Sequence, residues 1–335
     1  MKTTRPTSII VCTYNRADLL PSVINQLRAQ KYPHNSFEII VVDNCSTDHT
    51  PQIVQRFINT DKEVPVRYVK EGHPGVTYAR NRGAREARYP YLAYLDDDCS
   101  VEADWLSQLV SGFDLDELVS VVAGRVKVDY DDQEIPKWLG TKSARWLAEF
   151  NFPGSQPRLL VNPLYVCEGN MAITHQAWEA VGGFLGMDQF SSPHVAAQEI
   201  VYLIEQVKRQ GGKVAFVPMA IVNHHTAIPT QRRMLMRVYF HGVSSGFLDY
   251  FINGFSWISV IYRTILDIAA LFIFLLLSLV FTLVLSKATA MYHLLRATER
   301  FGKILSELRL VGDWKQVRLW SSAPGLFFDQ SKYKE

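Results

Sequence analysis

The chain is poor in several things that would have settled its class. Cysteine is scarce, with Cys12, Cys45, Cys99 and Cys167 spread over 335 residues. No CxxC pair and no Cys/His run at zinc spacing occurs. A disulfide framework and a structural zinc cage are therefore not expected, and the thiols read as reduced, packed groups. A surplus of one charge is missing too, since Lys+Arg 35 stands against Asp+Glu 33, a net charge of +2. Without a basic stripe, nucleic acid is not an expected partner. The opening MKTTRPTSIIVCTYN contains no long apolar run. No secretory leader is expected, and the first domain is placed in the cytoplasm. Internal repeats and low-complexity segments are absent.

What is present is enough apolar sequence, 48%, to bury a large core. Short β-branched runs alternate with segments of helical period. TSIIVC (7–12) reads as a buried strand, and Leu19, Leu20, Val23, Ile24 and Leu27 as a helix. FEIIVVD is a second strand, residues 51–58 a helix, VPVRYV a third strand, Gly75–Ala87 a helix with Ala79, Gly83 and Ala87 on one face, and YLAYL a fourth strand. Such alternation predicts a parallel sheet with helices on both faces. Beyond Trp105 the pattern loosens. VSVVAGRVKVDY and KVAFVPMAIVNHH read as strands, LYVCEGNMAIT as a strand interrupted by Gly169, and HQAWEAVGGF and QEIVYLIEQVKRQGG as helices. The loops after strands one, two and four would meet at the carboxyl edge, where open α/β sheets bind ligands.

Three constellations fall on that edge. Asp96, Asp97 and Asp98 end the fourth strand. In an extended chain Asp96 and Asp98 point the same way, an arrangement suited to a hard cation such as Mg²⁺ or Mn²⁺, with water and phosphate completing its shell. The alternative is a solvated turn in which Ser100 caps a helix starting near Glu102. Asp43 closes the second strand, where a carboxylate accepts from a nucleobase N–H or a ribose hydroxyl; the alternative is an Asx-turn. Thr13, Asn15 and Arg16 follow the first strand and offer donors to a nucleotide. Arg80 or Arg82 adds a further cation, the alternative for each being a solvated helix face. Trp138, Trp146, Phe150 and Phe152 are of a type that stacks on sugar rings, but also of a type that fills cores.

The C-terminal third changes character. Residues 268–285, IAALFIFLLLSLVFTLVL, carry no charge and are long enough to reach across a hydrocarbon core. The alternative is a buried soluble helix. Basic residues on both sides leave its orientation open.

Taken in order, TSIIVCTYNRADLL, EIIVVDNCSTDHT, GVTYARNRGAREA, YLAYLDDDCSVEADWL, CEGNMAITHQAWEAVGGF and QEIVYLIEQVKRQGGKVAFVPMAIVNHH resemble the family 2 glycosyltransferases over residues 5–245. The resemblance implies an α/β GT-A fold, a Rossmann-like and mostly parallel sheet with helices on both faces, followed by a C-terminal helical membrane-associated region. It implies a catalytic domain at 1–228, an amphipathic or interfacial helical linker at 229–257, a membrane-embedded helix at 258–287 and a basic helical tail at 288–335. It further implies an inverting transfer from a nucleotide-sugar donor, a UDP-sugar being favoured, with Mg²⁺ or Mn²⁺. The acceptor would be a glycan or lipid-linked hydroxyl at the cytoplasmic face of the cell membrane, in cell-surface polysaccharide or glycolipid synthesis.

Carried over to this chain, Asp43 matches the base-recognising aspartate. Asp96 and Asp98 match the metal-holding DXD motif, with Asp97 turned away toward local groups or the ribose. Gly169 and Asn170 match an element beside the donor sugar. His224 or His225 would complete the metal shell or touch the diphosphate, and His224 is the expected ligand. The family's Glu-Asp pair reads Gln198-Glu199 here, which makes Glu199 the expected base at an altered reach and Asp188 the fallback. Two other classes compete. A sugar-phosphate nucleotidyltransferase would need a glycine-rich phosphate loop, and TSIIVCTYNR has no glycine. A catalytically weak membrane-tethered scaffold is motivated by Gln198-Glu199.

Overall fold

The structure, a computed structural model, describes residues 4–60, 63–163, 165–185, 199–253, 257–283 and 287–308. It divides into two compact units. The first holds residues 1–131, 148–186 and 203–226, and the second holds 132–147, 187–202 and 227–335.

The first unit is built on a nine-stranded sheet. Its parallel half is made by β1 (Thr7–Thr13), β2 (Phe37–Asn44), β3 (Val66–Glu71) and β4 (Tyr91–Asp96), in spatial order β3-β2-β1-β4. The connecting helices are α1 (Leu20–Arg28), α2 (Thr50–Thr60) and α3 (Val76–Glu86). Leu20, Val23, Ile24 and Leu27, the periodic set read from the sequence, form the buried face of α1. The small face of α3 has an equally direct cause. A Cβ on Gly83 would lie 2.4 Å from Ile10 Cγ2, so only glycine lets this helix press so closely on β1.

The other half is mixed rather than parallel. Next to β4 lies β8 (Asn170–Thr174), which is antiparallel to it, then β6 (Val119–Asp129), β9 (Lys213–His225) and β5 (Cys99–Val101), with the short β7 (Arg158–Leu159) also on β9. Of the strand expected over 164–174 with a break at Gly169, the described residues form the part after the break, Asn170–Thr174. Ser100 does not cap a helix. It sits in β5, paired antiparallel with β9, and the following helix α4 begins at Trp105. The acidic run is therefore a tight link between two strands of the sheet.

A buried polar cluster ties α4 (Trp105–Ser111) to β8, β6 and β9. The Trp105 indole N–H donates to Asn170 Oδ1 at 2.9 Å, while Asn170 Nδ2 donates to the carbonyls of Arg125 and Ala220 at 2.9 and 2.8 Å. Phe150 and Phe152 before β7, Tyr165 after it and Phe216 on β9 pack edge to face. Two of the aromatics considered for sugar stacking are thus committed to packing. The helix after β8, α5 (His175–Ala180), is capped by Thr174, whose hydroxyl accepts from Ala177 N at 3.2 Å.

The second unit is helical. It contains α7 (Gln231–Asn253), α8 (Trp257–Leu283) and α9 (Lys287–Glu307). The boundary between units falls inside α6 (Glu199–Arg209), with Glu199 counted in the second and Leu203 onward in the first. α9 packs on α7 through small residues. A Cβ on Gly242 would lie 2.0 Å from the Glu299 carbonyl, and one on Gly302 2.2 Å from the Tyr239 carbonyl. The apolar residues of α7 are spread around its axis and form no single face.

α8 meets α9 along one stripe. Thr264 donates to Glu307 at 3.2 Å, Asp267 pairs with Arg300 and with Lys303, Phe274 and Phe281 stack on His293, and Ser278 donates to the Ala290 carbonyl. The sides away from α9 are exposed and apolar, and include Ile261, Ile265, Phe272, Leu276 and Leu279. Over Val260–Thr282, α8 is the one described helix long and apolar enough to cross a membrane, by length and composition.

Candidate active site

At the carboxyl ends of β1, β2 and β4 the first unit opens into a cleft of about 570 Å³. Its walls come from five places. β1 and its loop bring Cys12, Thr13, Tyr14 and Arg16. β2 brings Asn44 and Cys45, and the start of α3 brings Pro74 to Val76 with Ala79 and Arg80. The acidic link brings Asp96, Asp97 and Asp98, and β9 brings His224. Residues 212 positions apart in sequence, Cys12 and His224, share one cavity because strand crossovers return every loop to the same edge.

The three aspartates have different partners. Arg16 Nη1 donates to Asp97 Oδ1 at 2.6 Å and to Asp98 Oδ2 at 2.7 Å. His224 Nε2 lies 3.4 Å from Asp98 Oδ1. Arg80 reaches Asp96 Oδ1 and Glu168 Oε1, both at 3.5 Å, and lies over the Phe184 ring. Burial works against ionisation of Asp98, but His224 and Arg16 outweigh it and hold its carboxyl below the usual value. For Asp97 burial wins and its carboxyl is pushed up, although Arg16 pulls the other way. Asp97 does not turn away from the site, as extended geometry implied. β4 ends at Asp96, so strand alternation no longer applies beyond it, and Asp97 lines the cleft. Beside them, burial lifts the Cys12 thiol to about 12, which keeps it neutral.

Gly169 is explained by Asp96. A Cβ there would lie 2.3 Å from Asp96 Oδ2, so glycine is what allows the carboxylate its position. Gly75, with φ of +134°, turns the chain into α3 at the cleft wall.

Several of the expected contact residues have partners within the protein. Asn170 is fully buried, and its side-chain amide is engaged with Trp105, Arg125 and Ala220. Asn15 ties two loops together, accepting from Thr47 N at 2.7 Å while its own N–H donates to Ser46 Oγ. Asp43 is 1% exposed and accepts from Tyr68 OH at 2.7 Å and Ser46 N at 2.9 Å. It braces the cleft from behind, and its neighbours Asn44 and Cys45 form the wall in its place. Arg82 pairs with Glu86 on the helix surface. Glu199 opens α6 and is buried, in the second unit. Gln198 and Asp188 lie outside the described residues.

Two features escaped the sequence reading. Tyr14 is an exposed aromatic, 58% accessible, on the cleft wall. Its signal was there, an aromatic in the polar loop TYNR at a strand end. The second is a group of potential cation ligands, Asp129, Asp131 and His225, with one ligand atom each all within 4.8 Å. There His225 Nδ1 is 2.8 Å from Asp131 Oδ1 and Nε2 is 2.8 Å from Ser100 Oγ. No spacing rule finds it, because register places Asp129 opposite His225 across β6 and β9.

Comparisons with known proteins agree with this architecture. The chain is 33% identical over 123 residues to the glycosyltransferase AglE of Haloferax volcanii, covering 37% of this chain and 40% of AglE. It is 35% identical over 101 residues to the putative teichuronic acid biosynthesis glycosyltransferase TuaG of Bacillus subtilis, covering 30% of this chain and 39% of TuaG. Both matches thus span about two fifths of the relative's length. Among solved structures, the mannosyltransferase PcManGT from Pyrobaculum calidifontis, determined with GDP-Man and Mn²⁺, superposes with a TM-score of 0.55 at 18% identity, covering 99% of this chain and 83% of that one. That likeness shows a shared GT-A fold. Residues 8–181, half of the chain, match the family described as Glycosyl transferase family 2, and the chain belongs to that family.

Proposed function

We propose that this chain transfers a sugar from a nucleoside-diphosphate donor to an acceptor hydroxyl, with inversion, in the making of a cell-surface polysaccharide or glycolipid. One observation carries the reading. Asp96, Asp98, His224, Arg16 and Arg80 converge from four separated segments on one cleft at the carboxyl edge of the sheet. Such a mix of carboxylates, imidazole and guanidinium suits a metal-bridged diphosphate.

The residues fit a hard divalent ion. Asp98 is held ionised, His224 faces the same carboxylate, and Gly169 leaves space for Asp96. Asp98, Asp96 and His224 are the ligands we assign. Bound there, Mg²⁺ or Mn²⁺ would supply Lewis-acid neutralisation of the leaving diphosphate. Arg80, fixed between Asp96 and Glu168, orients Asp96. Tyr14 offers its face to the base, and Asn44 and Cys45 bound the nucleoside side of the cleft. Glu199 is the carboxylate we assign to take the acceptor hydroxyl's proton as that oxygen attacks the anomeric carbon. The displaced group leaves as a nucleoside diphosphate, and a single displacement inverts the centre.

A second placement of the ion, at Asp129, Asp131 and His225, is favoured by their mutual geometry. It has less to recommend it, because both ring nitrogens of His225 are already engaged.

The apolar sides of α8 support attachment to a membrane, with the catalytic unit on its cytoplasmic face. The acceptor we infer is a glycan or lipid-linked sugar. The solved relatives carry different nucleotides, GDP-Man in PcManGT and UDP in GalNAc-T7, each with Mn²⁺. Both nucleotides therefore belong in the test. A thermal-shift screen of UDP- and GDP-sugars with and without Mn²⁺ should give one donor whose stabilisation needs the metal. Release of its nucleoside diphosphate should fall at least a hundredfold in Asp98→Ala and in Glu199→Gln. Full activity in either variant would refute that residue's role. His224→Ala and His225→Ala, compared for Mn²⁺ affinity, decide between the two metal placements.

A further inference from the structure

We propose that Arg16 is an internal counter-ion for the acidic link, and that its release couples divalent-ion binding to nucleotide binding. The proposal rests on the metal and nucleotide assignments above.

One guanidinium nitrogen of Arg16 bridges two carboxylates, at 2.6 Å from Asp97 Oδ1 and 2.7 Å from Asp98 Oδ2. The other Asp98 oxygen faces His224 at 3.4 Å. One oxygen of the assigned metal ligand thus already accepts from Arg16, and the other faces the His224 ring. An ion held by Asp98 would compete with Arg16 for that carboxylate and would repel the guanidinium charge. Arg16 and the ion are therefore competitors for Asp98.

Arg16 is built to yield. It sits on the loop after β1, and its side chain is 46% exposed. Arg80 gives the contrast in the same cleft. It is 6% exposed, held by Asp96 and Glu168, and stacked over Phe184. Arg80 is a fixed cation, whereas Arg16 has open space beside it. Once off Asp98, the Arg16 head remains in the cleft, where a diphosphate offers paired oxygens that match a guanidinium fork.

The coupling follows. A diphosphate that draws Arg16 away frees Asp98 for the ion, and an ion that displaces Arg16 frees it for the diphosphate. Linkage makes the two effects equal. This coupling adds to the direct bond between ion and phosphate. Arg16 touches donor and metal ligand alike, so it sets the order in which the site fills and protects Asp97 and Asp98 from mutual repulsion beforehand.

The test is Mn²⁺ titration, by calorimetry or by loss of the free-ion EPR signal, on the full chain and on Arg16→Met and Arg16→Lys. Each is measured alone and with UDP or GDP, after a melting curve verifies folding. Arg16→Met should bind Mn²⁺ alone about tenfold tighter, the scale of one charge-assisted pair removed from competition. It should bind nucleotide alone more weakly, and the gain in Mn²⁺ affinity on adding nucleotide should shrink by about the same factor. Arg16→Lys, whose single ammonium matches the bridge less well, should shift in the same direction by a smaller factor. It carries the test if the methionine variant does not fold. Unchanged or weaker Mn²⁺ binding in the folded variants overturns the proposal and leaves the metal site standing. Absence of Mn²⁺ binding in all three proteins overturns the metal assignment and the proposal together.

Discussion

Asp97 and Asp98 are adjacent in the chain yet titrate in opposite directions. Asp98 is held below the ordinary aspartate value of 3.8, so its ionised form adds stability that is complete above that value and is lost as pH falls through the lowered folded-state value. Asp97 is raised above 3.8, so its contribution favours the fold only at lower pH and is a cost at neutrality. At pH 7, Asp98→Asn should lower stability by about 1–2 kcal/mol and flatten the acid limb of the pH–stability curve. Asp97→Asn should leave the neutral melting temperature unchanged or higher. Chemical denaturation across pH checks both, and a neutral destabilisation by Asp97→Asn larger than that by Asp98→Asn would contradict these assignments. Gly169→Ala puts a methyl group against Asp96. It should weaken Mn²⁺-dependent nucleotide binding about tenfold or more while shifting the melting temperature little, since Asp96 is at a cleft edge rather than in the core. Residue chemistry of this kind was partly legible in sequence. Three carboxylates ending an apolar run named the cleft, but which of them is paired with what depends on Arg16 and His224, which come from distant segments.

At the scale of elements, the parallel half of the sheet was readable because each of its strands is a short β-branched run followed by a helix of clear period. The mixed half was not. LYVCEGNMAIT reads as a strand on both sides of Gly169, yet among its described residues ladder pairing is confined to Asn170–Thr174, and sequence carries no direct record of partners. Asn170 shows the same limit. A family resemblance set it beside the sugar, while the structure uses all of its amide to hold Trp105 and two strand carbonyls together. Asn170→Ala should therefore cost about 3 kcal/mol, because a buried indole N–H and two carbonyls lose their partner. A drop in the denaturant midpoint at unchanged slope would show it, and a variant with full stability would return Asn170 to the list of ligand contacts. Within the second unit, close crossing of α7 and α9 through Gly242 and Gly302 is equally a product of pairing, since neither glycine breaks its helix.

At the scale of the whole molecule, α8 has two unlike sides. One stripe binds α9 with charged and polar groups that include Asp267, Arg300, Lys303 and Glu307. The remaining sides expose large apolar residues over most of the helix length, more than a water-facing surface normally shows. The protein is expected to float with liposomes in a density gradient. Phe272→Glu with Leu276→Glu should reduce flotation strongly and leave the melting temperature within a degree or two, because neither side chain faces α9. Flotation unaffected by this pair would remove α8 as the attachment. The opposite control is Asp267→Asn, on the covered stripe, which should lower stability without changing flotation.

Composition, period and motif order were enough to determine the α/β class, the family, the cleft-bearing edge and the apolar C-terminal helix. Each depends on local or repeating features of the chain, and hydrophobic period and strand-end chemistry are local. Tertiary structure alone decided the rest. It made the second half of the sheet mixed, gave Asp43, Asn15 and Asn170 partners within the protein, and brought Tyr14 and the Asp129–Asp131–His225 group into view. It also set Arg16 between two aspartates 81 and 82 positions away. The reason is that a side chain's role follows from what it meets across the fold, and those meetings are fixed by strand register and helix packing rather than by its neighbours in sequence.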